Sequence, residues 1–286
     1  MTPVTAARTT PRCTVCGGAT VPCSALTPWP FASCTRCGLV FRTEAHAEAV
    51  HAVYAEGGYV AGRGHHYATD EEEAARRRDA RVRLRWLGRH ARRGRLLDVG
   101  AAGGAFVLEA GRAGFAAAGI EPTPEFAHRA REALGVDVRT GTLEESELEP
   151  GELDVVTMWH VLEHVPEPAG ALRQLRAALR PGGVLAVEVP NFGSAVSAHM
   201  GVNWTSLQPD VHVNQFSAAS LRALVERAGL IAAEVSTVPI TPYLPLAGRL
   251  DPRHLVARAK ATVWLRTPRQ MHPSGHELLR VAAIRR

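Results

Sequence analysis

Short apolar runs bounded by glycine, proline or charged residues recur through the middle of the chain, and this pattern predicts β-strands. The runs occupy residues 95–99, 116–120, 136–139, 154–159 and 184–189. Between them, apolar residues recur at three-to-four spacing with arginines interspersed, a pattern typical of amphipathic helices. These segments occupy residues 106–112, 124–134, 168–179 and 218–228. Strands that alternate with helices predict an α/β fold with a doubly wound, mostly parallel sheet.

A glycine-rich turn follows the first of these core strands. It reads Asp98-Val-Gly-Ala-Ala-Gly-Gly, and the next strand leads to Glu121. Such a turn lets the backbone approach a ligand, and an acidic residue at the next strand end can accept hydrogen bonds from two ribose hydroxyls. A lone turn of this kind indicates little, because tight strand-to-helix turns also use glycine for backbone reasons. Since Asp98 would repel a pyrophosphate, the pattern favours a nucleoside without phosphates, such as S-adenosylmethionine, whose amino group could meet Asp98.

The other predicted strand ends carry further polar residues. Ligands of a parallel sheet bind beyond the carboxyl ends of its strands, so Gly100, Glu121 and the pair Trp159-His160 should converge on one crevice. The segment GTLEES, which contains Leu143, follows the strand at residues 136–139. It would either lie beside the adenine or form a polar turn ahead of a helix.

Five segments in order resemble those of the class I S-adenosylmethionine-dependent methyltransferases. They are LLDVGAAGGAFV, GIEPTPEFAHRARE, DVVTMWHVLEHVPEP, LRQLRAALRPGGVLAVEVPN and HVNQFSAASLRALVERAGL, and they lie within about residues 80 to 235. The resemblance implies a Rossmann-like core with a seven-stranded sheet at residues 96–286 and S-adenosylmethionine as cofactor. The cofactor contacts that it implies are Tyr59, Asp98, Gly100, Ala101, Gly104, Glu121, Pro122, Leu143, Trp159 and His160. Where the family usually has a second glycine this chain has Ala102, which should therefore keep a negative φ.

Composition and hydropathy limit the class of protein. A chain of 286 residues, 46% hydrophobic and 21% charged, can bury one large core and carry a small appendage. No run of 18 apolar residues is available to span a bilayer. The start, MTPVTAARTTPRC, has no apolar core and does not read as a secretory signal. We therefore expect a cytoplasmic protein without a membrane partner.

The net charge of +5 is carried almost wholly by arginine, and ten arginines lie between residues 76 and 95. They could form a nucleic-acid- or phosphate-binding strip. We favour a helix that starts near Thr69, in which Val82, Trp86 and Leu87 form an apolar stripe and the arginines form a solvated face. Residues 46–95 are accordingly predicted to be a helical linker or lid.

Four of the five cysteines form two C-x2-C pairs, Cys13 with Cys16 and Cys34 with Cys37. This spacing predicts a zinc ribbon at residues 1–45. Two disulfides are the alternative, but cytosolic thiols stay reduced. Because four thiolates complete a tetrahedral shell, the zinc ion should be structural.

Methyl transfer needs alignment of the acceptor, and a base where the acceptor carries a proton. Three histidines follow predicted core strands: His160 and His164 in WHVLEHVPEP, and His212 in PDVHVNQFS. His212 is the preferred base, with Asp210 to orient it. His164 is either catalytic or a structural hydrogen-bonding residue, and His160 is expected to contact the cofactor.

A zinc ribbon ahead of such a core resembles the deoxysugar C-methyltransferases of natural-product pathways. Those enzymes place tyrosines over the cofactor, and Tyr54 and Tyr59 resemble them. The resemblance implies that Tyr54 contacts the substrate as a catalytic residue and that Tyr59 contacts the cofactor, although both could simply pack between ribbon and core. They also have a long carboxy-terminal domain, whereas about 50 residues follow residue 235 here, enough for a strand near 276–284. Their His-Glu-His run is replaced by Asp210-Val-His212, so oxygen or nitrogen methylation stays open.

Three functions are compatible with these patterns. The preferred one is methylation of a small molecule, a sugar or another natural-product intermediate, with the ribbon beside the acceptor. The alternative is RNA methylation, because ribosomal guanine N1-methyltransferases also pair a zinc module with this core. The third is a non-catalytic interaction protein, which intact Asp98, Gly100 and Glu121 disfavour.

Overall fold

The structure is a computed structural model that describes residues 11–44, 70–238 and 276–286. Tyr54, Tyr59 and the first part of the predicted lid lie outside the described residues. Within these ranges the chain forms eleven strands and six α-helices. The strands are β1 (Thr20–Pro22), β2 (Phe31–Cys34), β3 (Val40–Arg42), β4 (Gly94–Val99), β5 (Phe115–Glu121), β6 (Val138–Thr140), β7 (Leu153–Trp159), β8 (Leu179–Pro190), β9 (Asn214–Gln215), β10 (Leu230–Val238) and β11 (Leu278–Arg285). The helices are α1 (Asp70–Leu87), α2 (Ala105–Arg112), α3 (Pro124–Leu134), α4 (Pro168–Ala178), α5 (Ala195–Met200) and α6 (Ala218–Arg227).

Seven strands form the main sheet in the order β10-β11-β8-β7-β4-β5-β6. The five strands from β8 to β6 pair in parallel. The last strand, β11, lies antiparallel between β8 and β10. The predicted α/β, mostly parallel seven-stranded fold is therefore confirmed.

Both faces of this sheet are covered by helices. Successive side chains of a strand point to opposite faces. Leu96 belongs to the apolar cluster that contains Trp86 of α1, whereas Leu97 belongs to the cluster that contains Leu172 of α4. Because both faces are apolar, the central strands are nearly continuous hydrophobic runs, as is typical of buried parallel sheets. No helix in the described ranges combines the length and the apolar character needed to cross a membrane.

The amino-terminal cysteine-containing segment forms a second sheet, in the order β1-β2-β3-β9. Its fourth strand comes from the middle of the core sequence, since Val40 pairs with Gln215 and Phe41 with Asn214. The ribbon and the core segment after His212 are thus joined by backbone hydrogen bonds within one sheet.

Helix α1 differs in part from its prediction. Trp86 and Leu87 are buried as expected, but Val82 is 43% exposed. The arginines do not form a uniformly solvated face, because Arg77 binds Glu109 and Arg83 binds the buried carboxylate of Glu188. A carboxylate buried in a strand, such as Glu188, needs a cation beside it. Arg83 therefore points inward, although the helical pattern placed it on the solvated face.

Candidate functional site

A cavity of about 570 Å³ opens at the carboxyl edge of the parallel strands. The ends of β4, β5 and β7 line one side, and Arg76, Asp79 and Arg83 of α1 lie across from them. Predicted site residues in the lining are Asp98, Gly100, Ala101, Glu121, Pro122, Leu143, Trp159, His160, His164 and His212. Gly100, Glu121, Trp159 and His160 therefore line one crevice, as the sequence predicted.

The turn after β4 has an unusual backbone. Gly100 has φ 71°, and a Cβ there would lie 2.4 Å from Cγ2 of Val161, so only glycine fits. Ala102 also has a positive φ, 48°, and the expectation of a negative φ is wrong. Its amide donates to Oε2 of Glu121 at 2.8 Å, which holds the residue in this left-handed conformation.

Gly104, predicted to contact the cofactor, lies at the start of α2. It precedes α2 with φ 80° and is not among the residues that line the cavity. A Cβ at Gly104 would lie 2.8 Å from Ala130 and Val136 side-chain atoms. This glycine therefore lets α2 approach α3. Its contact with the cofactor stays a prediction.

Two buried carboxylates face the cavity from adjacent strands. Oε1 of Glu121 accepts from the amide of Thr123 at 2.9 Å, and burial raises the pKa of Glu121. Oδ1 of Asp98 accepts from the Thr157 hydroxyl at 2.6 Å. Burial raises the pKa of Asp98 to about 7. Because an ionised carboxylate has about four acceptor positions, both groups retain capacity for ligand hydroxyl or amino groups.

A third carboxylate, Glu188 of β8, is the centre of an ion-pair network. It binds Arg83 at 2.6 Å, Arg280 of β11, and Nε2 of His160 at 3.2 Å. Burial opposes ionisation, but the charges of Arg83, His160 and Arg280 keep the pKa of Glu188 well below its usual range. Sequence reasoning missed both arginines, although a lone acidic residue inside the apolar run of β8 was a usable signal for a buried cation.

His160 is held by carboxylates on both ring nitrogens. Its Nδ1 lies 3.4 Å from Oε1 of Glu163, and its backbone amide donates to the carbonyl of Glu188. Burial by itself would lower the pKa of His160, but its ion-pair contacts with the carboxylates of Glu163 and Glu188 raise it to about 9. His160 is therefore a cation at neutral pH and is unsuited to act as a base.

The other two histidines lie together at one end of the cavity. Nδ1 of His164 lies 3.0 Å from the Val211 carbonyl, and Nδ1 of His212 lies 2.7 Å from the Ser206 carbonyl. Their rings meet edge to face with centroids 4.6 Å apart. Burial, together with the neighbouring His212, lowers the pKa of His164 to about 3.

Asp210 was expected to orient His212. Its side chain is exposed, whereas His212 is buried. The ring of His212 instead donates to the Ser206 carbonyl. The orienting group is thus a backbone carbonyl of the same loop, which a search for acidic side chains near a histidine does not find.

The segment around Leu143 forms a turn rather than the start of a helix. Thr142 and Glu145 are joined by the Thr142 amide and hydroxyl, which both donate to Oε2 of Glu145. Gln174 of α4 donates to the Leu143 carbonyl at 2.9 Å. These contacts hold Leu143 and Glu144 in the cavity lining.

The four predicted metal-ligating cysteines form one cluster, with all four Sγ atoms within 4.8 Å of one another. Sγ of Cys13 lies 3.6 Å from Cys37, and Sγ of Cys16 lies 3.3 Å from Cys34, so the cysteines are not disulfide-bonded. The amides of Arg36 and Cys37 both donate to Cys34 Sγ at 3.4 Å. Burial opposes ionisation, but these donors lower the pKa of Cys34 to about 7.

The ribbon is connected to the histidine end of the cavity. The amide of Arg42 donates to the Val213 carbonyl at 2.9 Å, and its guanidinium donates to the Pro209 carbonyl at 2.8 Å. Nε2 of Gln215, in β9, donates to the His212 carbonyl at 3.1 Å. The loop that carries His212 is therefore fixed from the ribbon side.

Comparisons with known proteins agree with this geometry. A methyltransferase domain family matches residues 69–235. The ubiquinone biosynthesis O-methyltransferase of Xanthomonas euvesicatoria is 31% identical over 161 residues, 52% of this chain and 67% of that protein. The enzyme of the same name from Xanthomonas campestris is 35% identical over 110 residues, 36% of this chain and 46% of that protein. The chain thus spans between about half and two thirds of the length of these two relatives.

Solved structures share the fold at low identity. An S-adenosylmethionine-dependent methyltransferase from Mesorhizobium loti has a TM-score of 0.52 at 20% identity, covering 71% of this chain and 96% of that one. The magnesium protoporphyrin IX methyltransferase of Synechocystis, with bound SAH, has a TM-score of 0.56 at 13% identity, covering 84% and 100%. The family match extends over more than half of the chain. The chain therefore belongs to the methyltransferase domain family and is an S-adenosylmethionine-dependent methyltransferase.

Proposed function

We propose that this enzyme methylates an oxygen of a small-molecule acceptor that binds beside His164 and His212. The observation that carries the proposal is that one cavity joins the strand-end carboxylates to the two histidines. The names of the relatives as O-methyltransferases support an oxygen acceptor. A sugar or natural-product acceptor, expected from the resemblance to deoxysugar enzymes, stays a prediction.

The cofactor would occupy the half of the cavity nearest β4 and β5. Glu121 is placed to accept from ribose hydroxyls, and Asp98 is placed to accept from a cationic amino group. The backbone at Gly100 and Ala101 can approach the ligand closely because a side chain at Gly100 is excluded. S-adenosylmethionine supplies an electrophilic methyl group on a sulfonium centre. The buried carboxylates, whose raised pKa values reflect missing solvation, fit such a cation.

The acceptor would occupy the opposite end. Because Nδ1 of His212 donates to a carbonyl, the ring lone pair lies on Nε2, the atom that would take the acceptor's proton. Phe106, Met158 and Trp159 give the same cavity a partly apolar lining. An acceptor with an apolar part and a hydroxyl suits this lining.

The cysteine cluster would hold a structural zinc ion. Four ligands at zinc–sulfur distances of about 2.3 Å in a tetrahedron lie roughly 3.8 Å apart, close to the observed sulfur separations of 3.6 and 3.3 Å. A Cβ at Gly18 would lie 3.1 Å from Cys16 Sγ and 3.2 Å from Cys34 Sγ. The backbone at Gly18 therefore lies close to these two sulfurs. The proposed role of the ion is to fix β3, and through β9 the loop of His212.

RNA as acceptor is less well supported. An RNA-binding strip needs available cations. Arg77 and Arg81 pair with Glu109, and Arg83 pairs with Glu188, so three of the arginines are used within the chain. These pairs weaken the case for a strip along α1.

The test is transfer of tritiated methyl groups from S-adenosylmethionine to separated small-molecule and RNA fractions of a host extract. The proposal expects label in an organic-soluble or polar small-molecule fraction. His212→Ala should reduce this label at least tenfold and should retain its affinity for S-adenosylhomocysteine (SAH), the demethylated cofactor. His199→Ala, an exposed histidine on α5, is the matched control. Label that appears only in RNA would contradict the proposal.

A further inference from the structure

We propose that Glu163, His164 and His212 bind a divalent transition-metal ion at the acceptor end of the cavity. One carboxylate oxygen and one nitrogen of each ring lie within 4.8 Å of one another. All three side chains are at most 9% exposed, and all three line the cavity. The cluster is separate from the cysteine site and is formed by the short 3-10 turn after β7 and the loop before β9.

The histidine rings are oriented as metal ligands are. A carbonyl oxygen can only accept, so the contacts to Val211 and Ser206 place the ring protons of His164 and His212 on Nδ1. The lone pair of each neutral ring is then on Nε2. A ligating histidine almost always donates its other N–H to a carbonyl or carboxylate, which fixes its tautomer and orientation.

The buried carboxylate of Glu163 gives an independent observation. Its side chain is 1% exposed, and neither oxygen has a hydrogen-bond partner within the described residues. The ring of His160 is nearby, but only at 3.4 Å from one oxygen. The His160 cation compensates part of the cost of burying this carboxylate, and a metal ion held with His164 and His212 would compensate the rest.

The ligand set selects the kind of ion. Two imidazole nitrogens and one carboxylate suit zinc, iron(II), cobalt or manganese, whereas magnesium and calcium prefer oxygen ligands alone. Three protein ligands leave at least one coordination position open, as in catalytic zinc sites. All three residues line the cavity, so an acceptor could reach an ion that they hold, in contrast to the closed shell that four cysteines provide.

The distances require only a small adjustment. Ligand atoms about 2.0–2.1 Å from an ion in a tetrahedron lie about 3.4 Å apart. One carboxylate oxygen and one nitrogen of each ring already lie within 4.8 Å of one another, so an approach of about 1.4 Å, with rotation of the rings, would complete the site. The inference predicts that this contraction accompanies metal binding.

The role of the ion rests on the proposed function. An ion at this position would bind the acceptor's hydroxyl oxygen and lower the pKa of that hydroxyl, with the proton passing to solvent water. In the metal-bound enzyme His212 is then a ligand, and it does not take the proton itself. The acceptors favoured by such a site carry two adjacent oxygens that can chelate.

Cobalt(II) alone is a suitable probe of the site. The 286-residue chain is first loaded with one equivalent of zinc, which the cysteine cluster should retain because thiolate sites bind zinc tightly. Cobalt is then titrated and followed by visible absorption. We expect one equivalent of cobalt to bind in addition to the zinc, with cobalt d–d absorption bands and without a thiolate-to-cobalt charge-transfer band.

Variants locate the cobalt. Glu163→Gln and His212→Ala should each weaken cobalt binding at least tenfold, since loss of even an outer partner of a ligand costs that much. Glu167→Gln and His199→Ala remove exposed groups of the same types and should bind cobalt as the wild type does. Unchanged cobalt affinity in Glu163→Gln and His212→Ala, or no second equivalent in the wild type, would overturn the inference.

Two further measurements keep the outcome clear if a variant fails to fold. X-ray absorption of the zinc- and cobalt-loaded wild type should show nitrogen and oxygen ligands with imidazole scattering at cobalt, and a sulfur shell there would overturn the inference. Calorimetric titration of SAH into the same samples tests the proposed function separately. SAH binding without cobalt binding rejects only the metal site, whereas absence of SAH binding rejects the proposed function whatever the cobalt result.

Discussion

The amide of Arg42, in the ribbon, donates to the carbonyl of Val213, the residue after His212. Through this bond the cysteine cluster supports the histidine end of the cavity, while the strand-end carboxylates belong to the main sheet alone. We therefore expect the ribbon to affect acceptor chemistry more than cofactor binding.

The first prediction concerns loss of the cysteine site. Cys37→Ser should release zinc and lower kcat at least tenfold, because the loop of His212 loses its support, while the Kd for SAH changes less than about threefold. Cys23→Ser is the matched control, since Cys23 is a half-buried thiol outside the cluster. Equal loss of SAH affinity and turnover in Cys37→Ser would contradict separate roles for the two ends.

A second prediction concerns Glu121. Glu121→Ala should weaken SAH binding at least tenfold, about 1.4 kcal/mol, because it removes a charged acceptor for the ribose and the partner of the Ala102 amide. Glu125→Ala, an exposed acidic residue at the start of α3, should bind SAH normally. Calorimetry measures both, and wild-type affinity in Glu121→Ala would remove this carboxylate from the cofactor site.

A third prediction is a dependence of stability on pH. The pKa of Asp98 is raised to about 7 in the folded protein, against an ordinary value of 3.8. Its stabilising contribution is therefore complete below about pH 4 and is lost as the pH rises towards and through 7, by up to about 1.4 kcal/mol per pH unit. Asp98→Asn, which stays neutral, should lack this part of the slope in urea unfolding of the ligand-free protein. Identical slopes for the two proteins between pH 4 and 7 would contradict a buried, protonated Asp98.

The same titration bears on cofactor affinity. The cationic amino group of SAH prefers an ionised Asp98, so SAH should bind roughly tenfold more tightly at pH 8 than at pH 6 in the wild type. Asp98→Asn should remove most of this difference. An unchanged pH dependence of SAH affinity in the variant would show that another group is responsible.

A fourth prediction compares two positions of the turn. Ala102→Gly should raise the free energy of unfolding by up to about 1 kcal/mol, or leave it unchanged, because relief of the left-handed strain offsets the greater freedom of the unfolded chain. Gly100→Ala should lower it by about 2 kcal/mol or more, since its Cβ would overlap Val161. Urea unfolding distinguishes the two, and a strongly destabilised Ala102→Gly would contradict the strain at this residue.

Local pattern was sufficient for the central strands. The predicted strands at residues 95–99, 116–120 and 154–159 agree with β4, β5 and β7 to within one residue at each end. These segments are buried on both faces, so their apolar runs are long and their ends are marked by glycine or charge. The final strand, β11, was also expected near its observed position.

The features that the local sequence pattern did not predict depend on contacts between residues far apart in the sequence. β9 has two residues and exists because β3 of the ribbon lies beside it, which no periodicity of its own sequence indicates. Arg83 faces inward because Glu188 lies far away in sequence, and Ala102 is held at positive φ by Glu121. The ligands of the candidate metal centre, Glu163 with His164 and His212, came from segments that were interpreted separately.

The measurement that tests the account most directly is a crystal structure of the protein with SAH. The ribose should bind Glu121, the amino group should lie near Asp98, and the sulfur should face the end of the cavity that His164 and His212 line. SAH bound elsewhere, or with its sulfur directed away from these histidines, would contradict the proposed active site.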